Sequence, residues 1–306
     1  MTSSVKTAVK PADLFSNYLP RGKFARFFHF SLLRFIVVVL FLLPVFILNT
    51  VVVLQVIEQV EEPLATNIDI VRMLVTIPLL FLSYGLYCRV FEKRAALEIS
   101  LPGAGKEWTA GFLVATTLVV LFVAFISVFG GFDILEYRPA KILFTNFLAF
   151  GMGSLFQDLI LLCVLYRLVE EYAGTWVAII TSLLIFGFAH AANPNQTLVS
   201  TVFLVFSSII LIAPFILTRR IWLGWGFHAG WNFMQAGVFG MANSGILFPG
   251  WMVSSVTGPD WLTGGAIGLE GSYLAVGVDS AIGLLLLFAA IKAGRIVKPS
   301  WKRLPH

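Results

Sequence analysis

The chain has 306 residues, of which 58% are hydrophobic and 12% charged, against about 25% charged in a soluble domain. That balance, with a mean hydropathy of +0.91, excludes an ordinary water-facing domain and predicts an all-α, polytopic membrane bundle. The net charge of +5 is spread as short basic clusters between apolar runs. This is the pattern of loops at an anionic membrane face rather than of a nucleic-acid surface.

Along the chain, residues 1–29 carry Lys6, Lys10, Arg21, Lys23 and Arg26 with interleaved Phe, predicting a basic arm on the membrane surface. The first apolar run begins near residue 30 and is too long for a signal-peptide core. With about 20 apolar residues per crossing, eight spans are predicted, at 30–56, 70–90, 109–129, 141–168, 175–191, 197–218, 221–240 and 273–292. The organisation is then a cytoplasmic arm at 1–29, a transmembrane bundle at 30–292 and a basic cytoplasmic tail at 293–306. An even span count puts both termini on one side. Setting them inside puts 18 of the 21 Lys and Arg on the inner side, leaving Arg72, Arg138 and Lys141 outside. The positive-inside rule therefore predicts a multi-pass protein of the cell (inner) membrane with both termini cytoplasmic. The Gly-rich stretch 241–272 does not match the phosphate-loop pattern GxxxxGK[ST], and a re-entrant or surface loop is predicted. Cys88 and Cys163 lie in or beside apolar segments and form no CxxC signal.

Ionisable groups within spans are costly and point to function. Asp158 falls mid-span beside Gln157, His190 ends the fifth span, and His228 precedes Asn232 by one turn in the seventh. Residues four apart share a helix face, so Phe186 pairs with His190 and His228 with Asn232. Such groups can grip one water, one metal ion or one developing oxyanion, and a desolvated carboxylate can act as general base. The bland alternative is that they only hydrogen-bond between helices. Glu170 and Glu171, beside Arg167 at a helix end, read as a solvated inner face. Asp279 reads equally as a cavity residue or a snorkelling one. By helix rise, Asp158 and His228 lie about 12–14 Å from the inner basic ends and His190 about 24 Å. One shared site therefore requires a tilted or deeply starting fifth helix.

These residues resemble the CPBP family of intramembrane proteases (CAAX proteases and bacteriocin-processing enzymes), whose motifs are EExxxR, FxxxH and HxxxN. Phe186-Gly-Phe-Ala-His190, followed by Asn193-Pro194, looks like the second motif, and His228-Ala-Gly-Trp-Asn232 like the third. The stretches VLYRLVEEYAGTWVAIITSLLIFGFAH and PDWLTGGAIGLEGS resemble bacterial members, and VFEKRAALEI does so more loosely. The implied family core covers about 140–292. The first motif departs: FQDLILLCVLYR puts Gln157 and Asp158 where the two glutamates belong, Leu162 in place of the arginine and Cys163 in place of the glycine.

The resemblance implies a CAAX-type metalloendopeptidase cleaving membrane-embedded or lipidated peptides among membrane lipid. His190, His228 and Asn232 would hold a divalent metal such as zinc, a water or an oxyanion, with Gln157 or Asp158 at the base position. Because Gln157 cannot accept a proton as a carboxylate does, the second expectation is an inactive member that binds a membrane partner or lipidated peptide.

Overall fold

The computed structural model describes residues 9–16 and 31–303, so most of the arm predicted over 1–29 and the last three residues of the tail fall outside the description. Eight principal helical segments are found among the described residues. They are α1 (Ser31–Gln55), α2 (Leu64–Val90), α3 (Ala104–Val128), α4 (Lys141–Ala173), α5 (Thr175–Ala189), α6 (Leu198–Thr218), α7 (Trp222–Asn232) and α8 (Tyr273–Lys292). Lipid offers the backbone no hydrogen bonds, so each apolar run satisfies its own as helix. The protein is an all-α polytopic membrane bundle.

Six of the eight, all but α5 and α7, are long and apolar enough to cross a bilayer. The predicted spans 175–191 and 221–240 are shorter as helices: α5 has 15 residues, and α7 has 11 followed by a six-residue π-helical turn, Phe233–Val238. The reason for α7 is its position. Every residue from Gly224 to Asn232 is buried, so neighbouring helices rather than lipid surround it. Burial also orders the long helices: 72% of the α6 span is enclosed but only 17% of the α1 span, which leaves α1 at the lipid-facing rim. At one end of the bundle, β1 (Phe132–Tyr137) and β2 (Met252–Val256) pair antiparallel.

The opposite end is tied by a buried ionic network. Glu92, just past α2, is held by Arg34 of α1, by Arg94 at 2.7 Å and by Arg167 of α4 at 2.8 Å. Arg94 also pairs with Glu98 at 2.7 Å, and Tyr84 donates to the same carboxylate. Glu170 receives Arg219 from the end of α6, Tyr166 at 2.8 Å and Thr175 at 2.6 Å. Glu171 receives Arg34 at 2.8 Å. The reading of Glu170 and Glu171 as a solvated face is therefore corrected: Glu170 is 1% exposed, because Arg219, distant in sequence, is folded onto it. Residues near both ends of the described chain join this face, as Arg295 donates to the Val9 carbonyl at 2.6 Å and Val297 bonds Thr175 through two hydrogen bonds.

Burial alone would raise the carboxyl of Glu92, but the guanidiniums of Arg167, Arg94 and Arg34 outweigh it and hold Glu92 well below the usual carboxylate range. A depressed folded pKa contributes stability that is complete above the unfolded value, about 4.3, and is lost as pH falls through the folded value. Thermal unfolding of the detergent-purified protein should thus gain nothing from this group on going from pH 6 to 8 and lose its contribution only in strong acid. Glu92→Gln leaves buried cations short of a partner and should cost about 3–5 kcal/mol. A Tm equal to wild type would mean that the network contributes nothing.

Candidate active site

A cavity of about 560 Å³ opens among α4, α5, α7, α8 and the Gly-rich segment. Gln157, His190, His228 and Asn232 all stand on its wall, as do Ser154, Phe186, Glu270 and Asp279. Phe186 ties the two imidazoles together, its ring lying 4.7 Å from His190 and 6.0 Å from His228 between centroids.

Depth, the obstacle in the sequence, resolves at Gly174. The helix predicted to end at 168 runs on to Ala173, and Arg167 is fully buried well inside that end. Asp158 and His190 each stand sixteen residues from Gly174 along α4 and α5, about 24 Å for both. For α7, the turn before it starts deep, because Arg219 is drawn in to Glu170, and this lifts His228 toward the same level.

Hydrogen bonding fixes each imidazole. His190 Nδ1 is 2.7 Å from the Phe186 carbonyl, which can only accept, so Nδ1 carries the proton. His228 Nδ1 is 3.0 Å from Asp158 Oδ1, which fixes the same tautomer. The basic Nε2 of both rings is left for the cavity. Asn232 donates from Nδ2 to Ser154 Oγ at 3.3 Å, freeing its amide oxygen. One residue's rotation of about 100° separates the altered first motif into two positions. Gln157 reaches the cavity wall with its Oε1 buried and without a partner among the described residues, whereas Asp158 lies behind His228, fully buried. A π-helical stretch, Leu159–Tyr166, follows Asp158 directly, as the second follows Asn232; such turns recur at functional sites. Leu162, at the position of the family's arginine, is enclosed apolar packing beside Gly224.

Glu270 was not among the candidates, because it falls in the Gly-rich stretch expected to be a re-entrant or surface loop. The Gly-rich segment folds back onto the bundle. Gln235 of the second π turn donates to the Ala242 carbonyl at 2.8 Å and accepts from Leu269 N at 3.2 Å. Asn193 and Asn195, after the second motif, donate to the Ser244 and Gly245 carbonyls at 3.1 Å each. Gly268 has φ +89°, and a Cβ there would stand 2.0 Å from the Ala242 carbonyl oxygen, so glycine is required where the segment turns inward. Two residues later Glu270 faces the cavity, taking a hydrogen bond from Ser244 N. Burial raises its carboxyl above the ordinary value, although the Ser244 hydrogen bonds oppose this. A glycine-punctuated acid in the loop resembling bacterial members was the available signal. Asp279 proves to be a cavity residue, 5% exposed.

The donors bear on the implied metal. No three His, Cys, Asp or Glu side chains gather at metal-ligand spacing among the described residues, so a cation would rest on two imidazoles and the Asn232 amide oxygen. The Nδ1 bonds fit that role, since a metal-binding histidine usually donates its other nitrogen to a carbonyl or carboxylate.

These features define a polytopic helical membrane protein with a half-open, largely apolar chamber lined by two histidines. Residues 138–234, which carry Gln157, both histidines and Asn232, match the family model described as type II CAAX prenyl endopeptidase Rce1-like. That match spans about a third of the chain and is consistent with the CPBP, CAAX-protease-like resemblance of its motifs. No curated protein and no solved structure matches it.

The site depends on how closely α7 approaches α3. A Cβ on Gly226 would stand 2.1 Å from the Trp108 carbonyl oxygen, and one on Gly230 2.9 Å from that of Phe112. Small residues at this spacing let membrane helices touch backbone to backbone. Gly226→Val should lower stability by at least the 1–3 kcal/mol typical of overpacking, roughly; an unchanged Tm in detergent would rule out this contact as the determinant of α7 position.

Proposed function

We propose that the protein is an intramembrane endopeptidase of CAAX type, acting on membrane-embedded or lipidated peptides. The observation that carries this reading is the pair of imidazoles with Nδ1 fixed and Nε2 free on one cavity wall with Asn232 and Gln157. In it, Asp158 positions His228, Gln157 orients the attacking water through its amide oxygen, and the Nε2 lone pairs and the Asn232 amide oxygen, all acceptors, would hold the cation that stabilises the oxyanion at the scissile carbonyl. A divalent metal such as zinc, held by His190, His228 and Asn232, would supply Lewis acidity and lower the pKa of a bound water. The membrane is the cell (inner) membrane, with both termini cytoplasmic.

The second reading is a binding module that holds a lipidated peptide without cutting it. It is favoured by Gln157, whose amide takes up no proton at the position where the family pattern has glutamate.

The two separate in a cleavage assay on the purified protein with prenylated CAAX-type peptides. Cleavage is expected in the wild type. His228→Ala should lower it at least about 10²-fold, as loss of one oxyanion or acid–base group does. Asp158→Asn should lower it about 10–100-fold, as loss of an orienting partner does. Gln157→Glu should raise it. Peptide bound but left intact by the wild type would identify the binding module.

Topology is testable separately. Cys88 and Cys163 are buried, so cysteines introduced as Ser255→Cys and Ser300→Cys report alone. An impermeant maleimide should label position 255 from the outside and position 300 only after the inner face is opened. Labelling of both from one side contradicts the proposed topology.

A further inference from the structure

Three carboxylates border the two imidazoles, and their surroundings divide the work among them. Asp158 is committed to His228 Nδ1 and does not line the cavity. Asp279, on α8, lines it with its Oδ1 buried and without a hydrogen-bond partner among the described residues. Glu270 lines it too, is fixed by Ser244 N–H, and lies within electrostatic reach of His228 and beside Trp231 of α7. The chamber thus lacks a carboxylate at position 157 but gains one from the Gly-rich segment.

We infer that Glu270 is the general base of the site, replacing the glutamate that Gln157 displaces. The inference rests on the proteolytic reading above. Glu270 takes a proton from a water held between it and Gln157 as the water oxygen bonds to the scissile carbonyl carbon. The carbonyl π pair moves onto oxygen, which carries the negative charge of the tetrahedral intermediate. When the tetrahedral intermediate collapses, the C–N bond breaks and the proton passes from Glu270 to the leaving amine. One water and one peptide bond are consumed, and Glu270 returns to carboxylate. Its burial suits the role, because a carboxyl raised toward neutrality is a better base near operating pH than an ordinary surface glutamate. Asp279 is a second acid on the chamber wall rather than the base.

The test uses the full chain in detergent with a prenylated peptide, following turnover, peptide affinity and Tm together. Glu270→Gln keeps an oxygen that can accept from Ser244 N. It should lower kcat about 10²–10⁴-fold with peptide affinity and Tm unchanged, and Gln157→Glu in the same chain should restore part of the turnover. Asp279→Asn should lose less activity than Glu270→Gln does. Wild-type turnover in Glu270→Gln, or a larger loss in Asp279→Asn, overturns the assignment while leaving the protease reading intact. Should Glu270→Gln fold poorly, Glu270→Asp carries the test, with reduced kcat and unchanged KM expected. Loss of peptide binding in both variants would instead assign Glu270 a structural role. Peptide bound but not cut by the wild type defeats the protease reading itself, and the base role with it.

Discussion

A guanidinium withdrawn from water must meet carboxylate, and the fully buried Arg167 sets the level of much of this molecule. Its bond to Glu92 brings α4 against the loop after α2, and Arg34 brings α1 to the same anion. Glu170, one turn on, draws Arg219 and with it the start of α7 inward. Removing one partner from such a cluster leaves an uncompensated charge, which is why the arrangement tolerates few alternatives. The helix ends are thereby levelled, and residues one helix length away come to a common depth.

At that depth the chemistry follows from which atoms are already engaged. A carbonyl and a carboxylate occupy the two Nδ1 atoms, so the two Nε2 atoms share one polarity toward the chamber. The pair Gln157 and Asp158, adjacent in sequence, divides between the chamber and the space behind His228 because adjacent helical residues point about 100° apart. The first motif is thus altered in two unequal ways. Position 157 loses a carboxylate at the chamber wall, while position 158 keeps one that orients an imidazole. Leu162, at the position of the arginine in the family pattern, is buried apolar packing beside Gly224.

The Gly-rich segment contributes as much to the chamber as the family motifs do. Gln235 and the Asn193 and Asn195 amides hold its backbone, using polar groups that would otherwise be costly at membrane depth. The segment thereby becomes a wall with its own acid rather than an external loop.

The sequence by itself determined the bundle, because bilayer thickness fixes the length of an apolar run and lipid forces each run to be helix. It also determined His190, His228 and Asn232 as candidates, because a one-turn spacing is a local property of a helix. It did not determine their common depth, since the true end of α4 lies beyond Arg167 and that arginine reads as a surface charge until Glu92 is folded beside it. Nor did it reveal the pairing of Glu170 with Arg219 or the entry of Glu270 into the chamber. Both depend on contacts between segments far apart in the chain, and helical periodicity carries no information about which distant partner a side chain will meet. Only the tertiary structure decided those, because burying a charge or a loop backbone is favourable only where another part of the chain supplies the matching group.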